Sequence, residues 1–273
     1  MLKLRIITAL VLLPIVLGAL FLLERQAFAL AAGAFFLAAG WEWSAMAGRP
    51  SMPLRVLWLL VLAALMAAAE WFRPVWLLTW VPLLWVGALA LVLGYPGSAR
   101  FWRRPWQLML LGFVLLVPSW AALVQVQSQG ALGLDGAWAL LFILLWVWAA
   151  DTGAYFAGRA FGKHKLAARV SPGKTIEGLL GGIALALAVV ALVAWQAPVR
   201  GDRTLLMLVA LLTVLASALG DLFESMVKRE AGVKDSGTML PGHGGMLDRI
   251  DSVTAAVPVA LMALSHTGLP GGL

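Results

Sequence analysis

Asp221 and Glu224 lead into a run, Ser225 to Asp251, that reads SMVKREAGVKDSGTMLPGHGGMLDRID and mixes bases, carboxylates and glycines as a polyphosphate site requires. Lys228, Arg229, Lys234 and Arg249 can neutralise phosphate charge. Gly242, Gly244 and Gly245 around His243 let backbone N–H groups approach phosphate oxygens without a side-chain clash. Asp221, Asp248 and Asp251 are hard oxygen donors, and magnesium takes a few such carboxylates together with water and substrate phosphates. Asp248 and Asp251 are spaced to share one face of a helix, and Asp221 lies one helix earlier, where it could meet them across the loop. His243 suits phosphate contact or proton transfer, with simple loop hydrogen bonding as the alternative. The whole run could instead be a solvated loop, but acids at helix ends in an apolar chain are costly and so point to function.

A second charged stretch, Asp151 to Glu177, follows the apolar run LLFILLWVWAA. A carboxylate placed there, Asp151, needs a partner or an ion, and Arg159, Lys163, Lys165 and Lys174 supply positive charge. Gly173-Lys174-Thr175 resembles the end of a P-loop, but Ala168 occupies the position of the required earlier glycine, and no strand is expected before it. Pro172 is expected to set a turn that starts the next helix, with Lys174 aimed at phosphate and Glu177 near that helix's N-terminus. His164, between two lysines, reads as a spectator, and His266 lies near the far end of the chain. Glu42, between Trp41 and Trp43, is a lone acid in an apolar run; it could pair with a base on another span or line a lipid entrance.

The elements that carry these residues are membrane helices. Of the 273 residues 62% are hydrophobic and 12% charged, with a mean hydropathy of +0.94, which excludes water as the main solvent. Apolar runs near 6–23, 27–47, 54–70, 75–94, 107–124, 137–157, 178–196, 203–223 and 252–267 predict an all-α, polytopic transmembrane protein of about nine spans. Uninterrupted runs of that length exclude a β-barrel. The first run imitates a signal peptide, but Glu24-Arg25-Gln26 offers no small-residue cleavage site, so it is read as a span. With nine spans, all but four of the 20 lysines and arginines (Arg25, Arg73, Arg200 and Arg203) fall on one side, which the positive-inside rule makes cytoplasmic. The formal charge of +7 is then a cytoplasmic-loop charge facing anionic lipid, and the dispersed bases carry no nucleic-acid docking motif. Most charge beyond the first half sits between Asp151 and Asp251, which divides the chain into a helical scaffold, 1–136, and a part with catalytic loops, 137–273. Tryptophans near span ends, such as Trp71, Trp76, Trp102, Trp106 and Trp120, read as interfacial anchors. The absence of cysteine excludes disulfides and thiolate chemistry.

The positions Ser225, Lys228, Arg229, Lys234, Asp235, Gly237, Pro241, His243, Gly244, Gly245, Asp248, Arg249 and Asp251 resemble the signature of phosphatidate cytidylyltransferases, also called CDP-diglyceride synthases. Asp151 to Glu177 resembles the loop that precedes it in that family. The resemblance implies magnesium-dependent transfer of a cytidylyl group from CTP to phosphatidic acid at the cytoplasmic face of the inner membrane, in a homodimer. It also implies a metal pair on Asp221 and Asp248, with potassium as a second ion. Lys228, Arg229, Lys234 and Arg249 with the glycine backbone would then bind the nucleotide phosphates, Arg159 and Lys174 would receive phosphatidate, and Ser225, Asp235, Asp251 and Asp151 would complete the site. Two rivals share parts of this pattern: a CTP-dependent kinase of a lipid alcohol, which attacks the γ-phosphorus, and a transporter using Asp151, Asp221 and Glu224 as an ion path. The charges cluster at one face and in loops, and no inverted repeat is evident, which disfavours transport.

Overall fold

The computed structural model describes residues 2–73, 75–197, 199–242 and 244–266, so His243 lies outside the described residues. The chain folds into helices α1 (Leu2–Leu22), α2 (Arg25–Met46), α3 (Met52–Phe72), α4 (Val75–Thr79), α5 (Val81–Leu93), α6 (Pro105–Gln129), α7 (Gly136–Phe161), α8 (Ile176–Gln196), α9 (Arg203–Glu230) and α10 (Leu247–His266). It is a polytopic helical membrane protein. Among the described residues, α2, α3, α6, α7, α8 and α9 are long and apolar enough to cross a bilayer. The segment expected to be a single fourth span is broken into α4 and α5. Pro82 lies in the first turn of α5, where its missing N–H is harmless, but it cannot donate back into α4.

The outer surface is apolar, as lipid contact requires: Leu60, Leu83, Trp195 and Leu212 are exposed. Inside, the helices approach through small residues. A Cβ on Gly153 would strike the carbonyl oxygen of Gly181, and one on Gly181 would strike the Ala157 methyl, so α7 and α8 pack backbone to backbone. Gly178 and Gly182 continue this seam against the carbonyls of Ala154 and Ala150. Indoles tie other crossings together: Trp43 Nε1 donates to the Leu108 carbonyl at 2.7 Å and Trp120 Nε1 to the Ala29 carbonyl at 3.1 Å. Trp120 and Trp102 are buried core residues and not interfacial anchors, whereas Trp71 and Trp106 are exposed at helix ends. The side chain of Trp76 lies outside the described residues.

Asp202 caps α9 by accepting from Thr204 N at 2.6 Å and Leu205 N at 3.0 Å. Those amide bonds, Leu205's first, hold its carboxyl below the usual range. Between α7 and α8 the chain forms an antiparallel hairpin, β1 (Lys165–Ala167) and β2 (Ser171–Thr175), paired Lys165 to Thr175 and Ala167 to Ser171. Pro172 therefore sits within a strand and does not set the turn expected of it. Thr175 performs the helix start by accepting from Gly178 N at 3.1 Å.

Gly181→Leu should separate α7 from α8 and lower the melting temperature of the detergent-solubilised protein by several degrees. Gly87→Ala, where an added Cβ meets nothing within 4 Å, should leave it unchanged or slightly raised. Equal melting of the two variants would contradict the close α7–α8 seam.

Candidate active site

The site begins with one glycine. A Cβ on Gly220 would lie 2.6 Å from the Asp251 carbonyl and 3.0 Å from Ala255 Cβ, so its absence lets α9 and α10 touch. That contact brings the next residue, Asp221, beside Asp251. Lys174, on β2, reaches across from the hairpin and pairs with Asp221 Oδ2 at 2.5 Å, while Ser225 Oγ donates to Asp221 Oδ1 at 3.2 Å. Asp151 enters from α7, deep among protein atoms yet open to a cavity, and it lies within electrostatic reach of Asp221, Lys174 and Arg249.

Two turns beyond Asp221 along α9, Lys228 is buried between two acids, 2.6 Å from Asp248 Oδ1 and 3.0 Å from Glu224 Oε1. The Glu224 contact is an ion pair within one helix, and among the described residues neither Glu224 oxygen has a well-directed hydrogen-bond donor. Glu224 also lies within electrostatic reach of Asp251 and Asp248. Asp248 is held more fully. Its Oδ2 accepts from Gly245 N at 2.8 Å and Ser236 N at 3.0 Å, in addition to the Lys228 ammonium on Oδ1. The Gly245 N–H, which the sequence offers to phosphate, is thus donated to Asp248. Gly244, at φ 82°, has no room for a Cβ because Asp248 Oδ2 lies 2.7 Å from where it would be.

The remaining sequence candidates divide between structure and surface. Arg229 donates from Nε to the Val170 carbonyl at 3.2 Å and from Nη1 to the Val233 carbonyl at 3.2 Å, so it braces the hairpin against the loop after α9. Arg159 Nη1 donates to Tyr155 Oη at 3.1 Å at the cavity edge. Lys234 and Asp235 are exposed in the loop, as is Arg249 at the start of α10. Glu177 accepts from Lys163 N at 3.1 Å and His164 N at 3.2 Å and pairs with His164 Nδ1 at 2.6 Å, which makes His164 a fastener of the α7–β1 connection and not a spectator.

A cavity of about 480 Å³ collects Asp151, Tyr155, Arg159, Lys174, Ser217 and Asp221, walled by the small residues of the α7–α8 seam. It shares Leu166, Leu179 and Ala218 with a larger groove of about 970 Å³ lined mostly by apolar residues of α5, α9, α10 and the hairpin, which also brings Arg169 to it. Ser217 and Thr175 were not singled out from sequence, although Ser217 stands one helical turn before Asp221 and i, i+4 spacing could have marked it. Ser236 was also missed; its partners are discussed below, and nothing local distinguishes it.

Fold and site together define an integral membrane protein with a charged cavity opening against a lipid-sized apolar groove. The chain belongs to the cytidylyltransferase family, whose model matches residues 3–267. It is an enzyme of the nucleotidyltransferase class. A relative from Pseudomonas aeruginosa named phosphatidate cytidylyltransferase is 46% identical over 278 residues, covering 99% of this chain and 100% of its own. One of the same name from Haemophilus influenzae is 43% identical, covering 94% and 96%. Another, from Staphylococcus haemolyticus, is 47% identical over 125 residues, 46% of this chain and 48% of its own.

Removing the cation between two buried acids leaves uncompensated charge, so Lys228→Met should cost about 3–5 kcal/mol of stability, read as an earlier midpoint of denaturant unfolding. Adding Glu224→Gln should recover part of that loss. A Lys228→Met midpoint equal to that of the parent would show that the pairing does not hold α9 to α10.

Proposed function

We propose that the chain transfers the cytidylyl group of CTP to phosphatidate, producing CDP-diacylglycerol and pyrophosphate. The observation that carries this reading is the shared wall between the polar cavity and the apolar groove. A substrate with an anionic head and hydrocarbon tails fits both at once, the head beside Lys174 and Arg159 and the tails along Leu179, Leu219 and Leu222. The names of the long relatives agree with it.

The reaction joins two anions. A phosphatidate phosphate oxygen attacks the α-phosphorus of CTP in line, the bond from that phosphorus to the β-phosphate bridging oxygen breaks, and pyrophosphate departs with the electron pair. The attacking oxygen is already ionised at neutral pH, so no protein nucleophile is needed and base assistance is optional. The protein's task is to hold both phosphates close against their repulsion and to stabilise charge on the leaving group. Lys174 and Arg159 take the phosphatidate head. Lys234 and Arg249, exposed beside the loop, are placed to meet CTP arriving from water, and His243 belongs to the same loop.

The acids Asp151, Asp221, Glu224, Asp248 and Asp251 outnumber the bases whose charges reach them, Lys174, Lys228 and Arg249, and among the described residues only Lys228 approaches the buried Glu224 oxygens. That donor set fits a divalent cation completed by substrate phosphates, although no three acids or histidines among the described residues converge on one point. Asp221 and Asp248 are the residues proposed to hold magnesium, with potassium as a second ion, and magnesium when bound supplies charge neutralisation for the CTP phosphates. The crowding of lysines and arginines on one side supports the cytoplasmic face of the inner membrane as the proposed location of the site. A homodimer is the proposed assembly.

Purified protein with phosphatidate, magnesium and CTP labelled at the α- or the γ-phosphate decides the reaction. Label should enter lipid from the α-position alone and be lost in Asp248→Asn. Transfer of γ-label to a lipid alcohol would instead make the enzyme a kinase. In the same assay Arg159→Ala should raise KM for phosphatidate by about tenfold or more, the worth of a charge-assisted hydrogen bond, and leave KM for CTP within a factor of about two.

A further inference from the structure

Glu42 belongs to α2, far in sequence from every residue of the site, and is almost wholly buried. Among the described residues it forms no ion pair with a base on another span. Its carboxylate projects into the loop between α9 and α10, where Oε2 accepts from Ser236 Oγ at 3.0 Å and from the backbone N–H of Leu247 at 2.9 Å. Leu247 is the first residue of α10, so Glu42 satisfies a helix-start amide that has no partner within its own helix. A negative group at that end also suits the helix dipole.

The loop is shaped around this carboxylate. A Cβ added to Gly237 would overlap Glu42 Oε1, and one added to Gly245 would overlap both Ser236 Oγ and Glu42 Oε2, so both positions exclude a side chain because Glu42 and the serine it holds occupy the space. Ser236 is gripped twice, its hydroxyl by Glu42 and its N–H by Asp248. Gly245 likewise lies between Glu42 and Asp248. The loop that carries Lys234 and Asp235 thus hangs from two carboxylates, one belonging to the site and one delivered by the N-terminal half of the chain.

Glu42 is itself held. Arg55 of α3 lies 3.6 Å over the Trp41 ring, donates from Nη2 to the Trp41 carbonyl at 2.7 Å and from Nε to Ser44 Oγ at 3.1 Å. On the other side of Glu42, Trp43 is fastened to α6 through the Leu108 carbonyl. The end of α2 is therefore pinned on both flanks of Glu42, which gives its carboxylate a fixed place from which to order the loop.

We propose that Glu42 is a positioning residue for the nucleotide. Its carboxylate holds residues 235–242 and 244–247 in the arrangement that meets the CTP phosphates, through Ser236, Leu247 and the two glycines, without touching substrate. The proposal rests on the reading that this loop binds CTP, and its test separates the two.

The experiment compares the parent with Glu42→Gln, which keeps one acceptor oxygen, and Glu42→Ala, which keeps none. KM for each substrate is measured together with hydrogen–deuterium exchange of the substrate-free protein in detergent. Exchange in the 235–247 segment should quicken in the order parent, Gln, Ala, while exchange in α7 and α8 stays as in the parent. KM for CTP should rise in the same order, by about tenfold or more in the alanine variant, as expected when hydrogen bonds to a charged group are lost. KM for phosphatidate should stay within about twofold, since Arg159 and Lys174 stand on other elements. Unaltered exchange at 235–247 in both variants would overturn the proposal, and so would exchange and both KM values rising together throughout the chain, which marks a general packing residue. If the alanine variant does not fold, the glutamine variant decides by the same criteria. Quickened loop exchange with KM for CTP unchanged would retain the hold on the loop but reject its role toward the nucleotide. Absence of α-label transfer in the parent would remove the cytidylyltransferase reading and with it that role, while the exchange result would still decide whether Glu42 orders the loop.

Discussion

Lys228, buried between Glu224 and Asp248, is the contact on which the rest of the site depends. Ions removed from water inside a bundle are tolerated only when opposite charges and amide donors surround them. Here one ammonium serves two acids on two helices, so α9 and α10 cannot slide past each other without exposing an unpaired charge. Gly220 makes the arrangement possible by letting the helix backbones touch, and Asp221 and Asp251 come together because of that approach. The clustering of carboxylates is unfavourable on its own and is held by the lysines set among them.

Around that charged joint, the geometry is that of a device for an amphiphile. Small residues draw α7 and α8 together and leave a wall against which the polar cavity forms. The short hairpin between the two helices then carries Lys174 over the cavity to Asp221, so a surface connection delivers a cation into the bundle. Arg229 joins the hairpin to the loop after α9, and His164 with Glu177 closes its other end. Leu166, Leu179 and Ala218 belong to both the polar cavity and the apolar groove. A headgroup can therefore be handled without removing its chains from an apolar surrounding, which avoids the cost of exposing hydrocarbon to water.

The N-terminal helices are more than a lipid-facing scaffold. Arg55, Trp41 and Trp43 fix the end of α2, and Ser119 of α6 donates to the Thr254 carbonyl of α10 at 2.6 Å, so the charged part of the molecule rests on the apolar part. Glu42 carries that support into the loop itself. Gly245 looks, from its neighbours in the chain, like provision for a phosphate; in the fold it and Gly237 make room for a carboxylate.

The sequence by itself determined what depends on local composition and periodicity. The apolar runs located the membrane helices, because a bilayer demands length and hydrophobicity that leave a plain record, and the crowding of acids and bases between Asp151 and Asp251 marked the stretch whose charges the fold gathers. Motif spacing also pointed to the family. Tertiary structure alone decided which charges pair: Lys228 could have met any of several acids, and Glu42 meets Ser236 and Leu247 from another part of the chain. It likewise turned Trp102 and Trp120 inward, placed Pro172 in a strand too short to show alternation, and committed the Gly245 N–H to Asp248. Such choices follow from how helices cross and how closely their backbones approach, and those distances are set by residues remote in sequence.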